Sequence, residues 1–75
     1  MEKKVYVQLL NEGTKVYRPV PAVEINDGIY EIKGFEIYNP DDENWEFPPG
    51  SQVLVKEQNL DGEIVLVAIK ERSAI

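Results

Sequence analysis

The chain contains no cysteine and no histidine, and these two absences exclude several classes of function. Without cysteine there is no disulfide, no thiolate zinc or iron–sulfur site and no thiol nucleophile. Histidine is the usual base near neutral pH and a common metal ligand, so neither a Ser–His–Asp nor a Cys–His site can form. We therefore expect a protein that is not an enzyme and that needs no cofactor and no metal.

Long apolar runs are also missing from the sequence. No run approaches the roughly 20 residues that a membrane-spanning helix needs. The N-terminal residues 1–4 lead into a short alternating stretch and lack the apolar core of a signal peptide. The sequence therefore predicts a cytoplasmic protein without membrane association.

Basic side chains are few, with 8 Lys and Arg against 14 Asp and Glu, for a net charge of −6. Phosphate binding needs clustered Lys and Arg, so we expect no nucleic-acid partner. The middle third, residues 21–50, holds eight acids and the single Lys33, which sum to −7. This acidic run is interpreted either as a solvated surface that keeps a small domain soluble or as a docking face for a basic partner.

The composition and periodicity of the chain favour strands. With 75 residues, 1–75 is predicted to form one domain, with a frayed tail at about 71–75. Alanine occurs only three times, whereas valine, isoleucine and aromatic residues are frequent. Alternation of apolar positions predicts strands at 4–10, 15–25, 52–57 and 63–70, a third strand after the turn at 26–28 that carries Tyr30 and Ile32 on one face, and a short extended piece at 45–47.

Turn-forming residues separate these strands. The segments 26–28, 48–50 and 59–62 combine Asn, Asp, Pro and Gly in the way that tight turns require. Residues 39–44 are predicted to form a loop in which Asn39 begins a helical turn. At Gly34 the apolar parity changes from Tyr30 and Ile32 to Phe35 and Ile37, which predicts a β-bulge.

Two strands carry further positional information. Pro19 and Pro21 lack N–H groups on the same side of the second strand, so residues 18–21 are predicted to form an edge. The last strand, 63–70, is apolar on both faces and is predicted to be central or covered on both sides. Together the elements predict an all-β fold, a small five-stranded antiparallel barrel of the SH3-like type. The alternatives are an OB-like barrel, which usually has more residues and a helix between strands three and four, and an open meander sheet.

Three blocks of the sequence resemble a family of small uncharacterised bacterial proteins. The first is Leu10-x-x-Gly13-Thr14-x-Val16-Tyr17-Arg18-Pro19-Val20, followed by Asp27-Gly28-x-Tyr30 and by Pro40-Asp41-Asp42-Glu43-x-Trp45-Glu46-Phe47-Pro48-Pro49-Gly50-Ser51-x-Val53. Similar sequences carry Trp beside the Arg-Pro pair, where this chain has Tyr17. The resemblance implies a bacterial origin and a compact β-fold, and it implies no activity.

The candidate contact residues are two aromatic residues, one arginine and the segment that follows the acidic loop. Trp45, beside acids and prolines, suits a partner that carries Pro and Lys or Arg, or else it closes one end of the core. Arg18 either pairs with Asp42, Glu43 or Glu46 and fixes the loop, or receives a partner's carboxylate. The contact surface is predicted to include Tyr17, Arg18, Trp45, Glu46, Pro48 and Pro49.

The same acidic loop is considered as a cation site, because carboxylates bind Ca²⁺ and Mg²⁺. It lacks the alternating ligand spacing of a calcium loop, so a solvated turn is expected. The leading hypothesis for function is a non-enzymatic protein-binding or adaptor module of the bacterial cytoplasm. The alternatives are a nucleic-acid-associated small barrel and an immunity-type inhibitor of a basic toxin, and the identity of the partner and the oligomeric state stay open.

Overall fold

The computed structural model describes residues 2–72, and these residues form strands and turns without a helix. The predicted all-β class is therefore confirmed. Each of the five predicted strands is present, and the short extended piece appears as a two-residue strand. The strands are β1 Glu2–Leu10, β2 Val16–Asn26, β3 Ile29–Ile32, β4 Asn44–Trp45, β5 Gln52–Leu60 and β6 Glu63–Glu71.

Five of the strands close into a ring in the order β1, β2, β3, β5, β6, and β4 adds to the end of β1. Neighbouring strands are antiparallel except β1 and β6, which meet in parallel at Tyr6 and Val67. The predicted antiparallel arrangement therefore holds for every pairing of the ring except this one. When successive strands reverse direction, the first and fifth strands of a ring must run the same way.

The prolines of β2 lie on an edge, as predicted. Over residues 16–21 the strand pairs with β1, whereas its pairing with β3 begins at Ala22. The carbonyl of Pro21 accepts a hydrogen bond from the amide of Lys33 at 2.8 Å. Because the nitrogen and carbonyl of one strand residue point to the same side, the proline nitrogens face away from β1. At Ala22 and Val23, β2 pairs with both β1 and β3, and from Glu24 to Asn26 it pairs with β3 alone.

The predicted turns are confirmed. Gly28 takes a φ of 76° between β2 and β3, and Asp61 and Gly62 take 52° and 87° between β5 and β6. In the β5–β6 turn both central residues, Asp61 and Gly62, have positive φ, which is the geometry of a type I′ hairpin turn. Asn39 begins the predicted helical turn, because its carbonyl accepts hydrogen bonds from the amides of Asp42 and Glu43.

The β-bulge predicted at Gly34 is wrong. β3 ends at Ile32, and Gly34, with a φ of 101°, begins a turn in which its carbonyl accepts from the amides of Ile37 and Tyr38. Phe35 and Ile37 consequently leave the sheet and are 69% and 43% exposed. The register shifts of the ring lie between residues 24 and 26 and between 54 and 55.

β6 is central in the ring but is covered on both faces only in its middle. Val67 and Ala68 are buried, whereas Ile64 is 64% and Ile69 45% exposed. Because β6 pairs with β5 on one side and with β1 on the other, it is central in the sheet, which is one of the two expected placements. The tail predicted to fray from residue 71 also needs correction, because Glu71 belongs to β6 and the Arg72 amide donates to the Gln52 carbonyl at 2.7 Å. Residues 73–75 of that predicted tail lie outside the described residues.

The core is formed by the inward faces of the ring strands together with two aromatic residues from the segment before β5. Burial alternates along β1 and β2, as expected for strands with one face on a core. The connected cluster of buried residues consists of Val5, Val7, Leu9, Val20, Ala22, Tyr30, Ile32, Trp45, Phe47, Val53 and Ala68.

Candidate functional site

Arg18 lies on the inward face of β2, at the end of the core. Side chains two apart in a strand share a face, so Arg18 follows the same side as the buried Val20 and Ala22. β4 pairs with β1 through Leu9 and Trp45, which places the indole at this end of the ring. The guanidinium carbon of Arg18 lies 5.6 Å from the centre of the Trp45 ring, within range of a cation–π contact.

Glu43 joins these two side chains through one oxygen. Arg18 Nη1 donates to Glu43 Oε1 at 2.6 Å, and Trp45 Nε1 donates to the same oxygen at 3.2 Å. The hydrogen bond from Arg18, followed by that from Trp45, holds the pKa of Glu43 below its ordinary value of 4.5. We call Arg18, Tyr38, Glu43 and Trp45 the Trp45 cluster.

The indole of Trp45 belongs to the core. Tyr38 packs against the indole, with ring centroids 4.8 Å apart and planes inclined at 60°. Trp45 is only 2% exposed. The interpretation of Trp45 as a surface contact residue is therefore wrong, and its alternative, closure of one end of the core, is confirmed. The ion pair predicted between Arg18 and the acidic loop is confirmed with Glu43 as its carboxylate.

The remaining residues of the predicted contact surface separate into two places. Glu46 and Pro48 are exposed and Pro49 is half-buried, on the turn that leads to β5. The Glu46 amide donates to the Gln8 carbonyl at 2.8 Å, which fixes the start of this turn against β1. Tyr17 lies elsewhere, because alternation places it on the opposite face of β2 from Arg18.

Tyr17 shares the outer face of the β1–β2 pair with Tyr6. The register pairs Tyr6 with Pro19 and Gln8 with Tyr17, so the two tyrosines are diagonal neighbours. Aromatic side chains at such positions are within reach of each other. Both residues are half-buried, which leaves part of each ring open to solvent.

A cleft of about 720 Å³ lies between this outer face and the tip of the β5–β6 hairpin. The Asn59 side-chain oxygen accepts a hydrogen bond from the Gly62 amide at 2.9 Å and fixes the tip of the hairpin. We call this cavity the tyrosine cleft. It is lined by Tyr6, Lys15, Val16, Tyr17, Asn59, Leu60, Asp61 and Glu63.

Two smaller clefts of about 360 Å³ each continue from the tyrosine cleft along β1. The first shares Tyr6 and Glu63 with the tyrosine cleft and extends along residues 63–66 of β6. The second shares Lys3 and Lys4 with the first and ends at Pro19 and Pro21. The three clefts therefore adjoin one another through shared lining residues along β1.

The sequence predicted one member of the tyrosine cleft, Tyr17, and missed the others. Tyr6 carried a signal, since it occupies an outward position of the first strand, but its proximity to Tyr17 depends on the register between β1 and β2. In the sequence, Asp61 and Glu63 indicate only a hairpin turn and the start of the strand that follows it. Their approach to the tyrosines depends on how that hairpin folds against β1, which local sequence does not specify.

Within residues 2–72, no group of three or more Asp, Glu, His or Cys side chains is arranged to hold a metal ion. Over that same part of the chain, no helix is long and apolar enough to cross a membrane.

No protein-family model, no curated protein and no solved structure matches this chain. The resemblance to small bacterial proteins accordingly stays a prediction, carried by its three sequence blocks.

Proposed function

We propose that this chain is a non-enzymatic protein-binding or adaptor module of the bacterial cytoplasm, built on an SH3-like barrel. Its binding site is the tyrosine cleft, which takes an extended segment of a partner protein. The observation that carries the proposal is the cleft itself, a cavity of about 720 Å³ that holds two partly exposed tyrosines beneath a hairpin tip.

Tyrosine is well suited to such a surface. Its ring gives a large apolar contact area with only two torsions to fix, and its hydroxyl both donates and accepts hydrogen bonds. Among the described residues, neither the Tyr6 nor the Tyr17 hydroxyl is engaged in a hydrogen bond. Both hydroxyls are therefore free to bind a backbone or side-chain group of a partner.

Side chains, rather than strand pairing, make the contacts on this side of the ring. The edge of β2 over residues 16–21 presents two proline nitrogens without hydrogens, so a partner strand cannot form a regular ladder there. The tyrosine cleft instead offers aromatic rings and charged groups to a segment that stays extended. This arrangement favours recognition of a linear peptide over addition of a strand to β2.

A selection with displayed peptides tests the proposal. A phage library of random 12-residue peptides is selected on the wild-type protein, and the enriched phage are then tested on Tyr6→Ala and Tyr17→Ala. We expect enriched peptides that lose most of their binding to both variants and keep it on Phe35→Ala, an exposed aromatic residue outside the cleft. Absence of enrichment, or equal loss on Phe35→Ala, would contradict the proposal.

The same protein tests the nucleic-acid alternative. With a net charge of −6, we expect no complex with mixed RNA and DNA pools at about 150 mM salt in a gel shift. A micromolar complex that weakens steeply as salt rises would favour the nucleic-acid-associated barrel instead.

A further inference from the structure

We propose that the tyrosine cleft binds the side chain of a lysine or arginine carried by the extended partner segment. This inference rests on the proposed function, since it names the chemistry that the same cleft recognises. The partner is thus expected to present a basic linear segment rather than an acidic or a purely apolar one.

Two kinds of group in the cleft attract a cation. The faces of aromatic rings carry negative electrostatic potential, and Tyr6 and Tyr17 both line the cavity. Asp61 and Glu63 add two carboxylates at the hairpin tip. A cation placed between rings and carboxylates gains from both interactions, whereas an anion is repelled by both.

The hairpin tip holds the carboxylates at a defined place. Asp61 has a φ of 52° in a turn that is closed by the bond from the Gly62 amide to Asn59. Glu63 begins β6 opposite Leu60, so its backbone is fixed by the sheet. Neither carboxylate takes part in an ion pair among the described residues, so both remain available to a partner.

Lys15 is the one cation that lines the cleft in the described structure. It forms no ion pair among residues 2–72 and opposes a second positive charge. Two carboxylates against one ammonium group leave the cleft with a charge of −1, in a chain whose net charge is −6. The variant Lys15→Gln should therefore bind a basic segment more tightly than the wild-type protein.

The experiment uses four degenerate pools of fluorescein-labelled 12-residue peptides, in which the central position is fixed as Lys, Arg, Gln or Glu. Fluorescence anisotropy gives the affinity of each pool for the wild-type protein. We expect the Lys and Arg pools to bind about tenfold more tightly than the Gln pool, and the Glu pool to bind most weakly.

Charge-neutral variants then locate the interaction. Asp61→Asn keeps the turn, because Asn also adopts positive φ, and Glu63→Gln keeps the shape of the strand. Each should weaken the Lys pool about two- to fivefold, and Lys15→Gln should strengthen it by a similar factor. The matched controls Glu57→Gln and Glu71→Gln remove exposed carboxylates of the same hairpin outside the cleft and should change little.

The possible failures are distinguishable. If the Gln pool binds as tightly as the Lys pool, or if the control variants weaken binding as much as the cleft variants, the cation site is wrong and the protein-binding module survives. If none of the four pools binds the wild-type protein, the proposed function itself is contradicted.

Discussion

The Trp45 cluster and the tyrosine cleft contain the same kinds of group in opposite arrangements. Each has aromatic rings, a cation and at least one carboxylate. In the Trp45 cluster the carboxylate accepts hydrogen bonds from the guanidinium at 2.6 Å and from the indole at 3.2 Å, the guanidinium carbon lies 5.6 Å from the ring centre, and Trp45 is 2% exposed. In the tyrosine cleft they face a cavity of about 720 Å³. The residue types alone therefore do not show which region stabilises the fold. What distinguishes the Trp45 cluster is that its groups are buried and hydrogen-bonded to one another.

The two regions also differ in how the chain assembles them. Residues 38–45 supply three members of the Trp45 cluster, and β2 supplies the fourth, Arg18. The tyrosine cleft draws on three separate segments, at residue 6, at residues 15–17 and at residues 59–63. Most of the Trp45 cluster therefore comes from one short stretch of sequence, whereas the tyrosine cleft is formed by residues far apart in the chain.

Removal of the Trp45 side chain should give the largest effect. Trp45→Ala empties a fully packed site and should lower the free energy of unfolding by about 3–5 kcal/mol. That is most of the stability of a small domain, so circular dichroism should show a weak or absent thermal transition. Phe35→Ala, which removes a 69% exposed ring, is the control and should melt close to the wild type. A thermal transition of Trp45→Ala close to that of the wild type would show that Trp45 does not pack in the core.

A methyl group on Gly34 should strain the same cluster. A Cβ at this position would lie 3.2 Å from the Trp45 ring, and its φ of 101° disfavours any side chain. We expect Gly34→Ala to cost about 2–3 kcal/mol in chemical denaturation. Gly13→Ala is the matched control, since it shares a positive φ of 78° but meets nothing within 4 Å, and it should cost about 1 kcal/mol. Equal losses would show that the ring does not pack against Gly34.

The bond between Arg18 and Glu43 should give a smaller effect that depends on pH. Both side chains are about one-third exposed, so a double-mutant cycle with Arg18→Gln and Glu43→Gln should yield a coupling of about 1 kcal/mol near pH 7. Because the pKa of Glu43 is lowered in the folded state, its contribution is present above 4.5 and is lost as the pH falls through the lowered value. The unfolding free energy of Glu43→Gln should therefore fall less steeply than that of wild type below pH 4.5. Identical slopes would contradict the assigned bond.

The tyrosine hydroxyls should matter least for stability. Tyr6→Phe and Tyr17→Phe remove groups that have no hydrogen-bond partner among the described residues, so each should change the unfolding free energy by less than about 0.5 kcal/mol. Their effect should appear instead as weaker binding of the lysine-centred peptide pool. A loss of stability comparable to that of the Gly34 variant would show that the hydroxyls of these tyrosines stabilise the fold.

The sequence predicted correctly those features that depend only on neighbouring residues. The hairpin turn at Asp61–Gly62 and the helical turn at Asn39 each depend on backbone preferences of adjacent residues. The edge at Pro19 and Pro21 depends on missing N–H groups, which no tertiary contact restores. These features could be predicted because their causes lie within a few residues of their effects.

Features that depend on distant partners were not predictable. A parity change at Gly34 is compatible with a bulge or with a turn, and the packing of Trp45 and Ile37 against that glycine accompanies the turn. The acids around Trp45 indicated exposure, because the arginine that satisfies Glu43 is 25 residues away. The tyrosine cleft requires both the register of β1 against β2 and the position of a hairpin 50 residues later.

A titration followed by nuclear magnetic resonance tests the contrast between the two regions most directly. The chain has one tryptophan, so its indole N–H signal reports on the Trp45 cluster alone, while the amides of Tyr6, Tyr17, Asp61 and Glu63 report on the cleft. The lysine-centred peptide pool is added to the ¹⁵N-labelled protein. We predict that the cleft amides shift progressively and that the indole signal stays in place. Movement of the indole signal with unshifted cleft amides would contradict the account and assign binding to the Trp45 end.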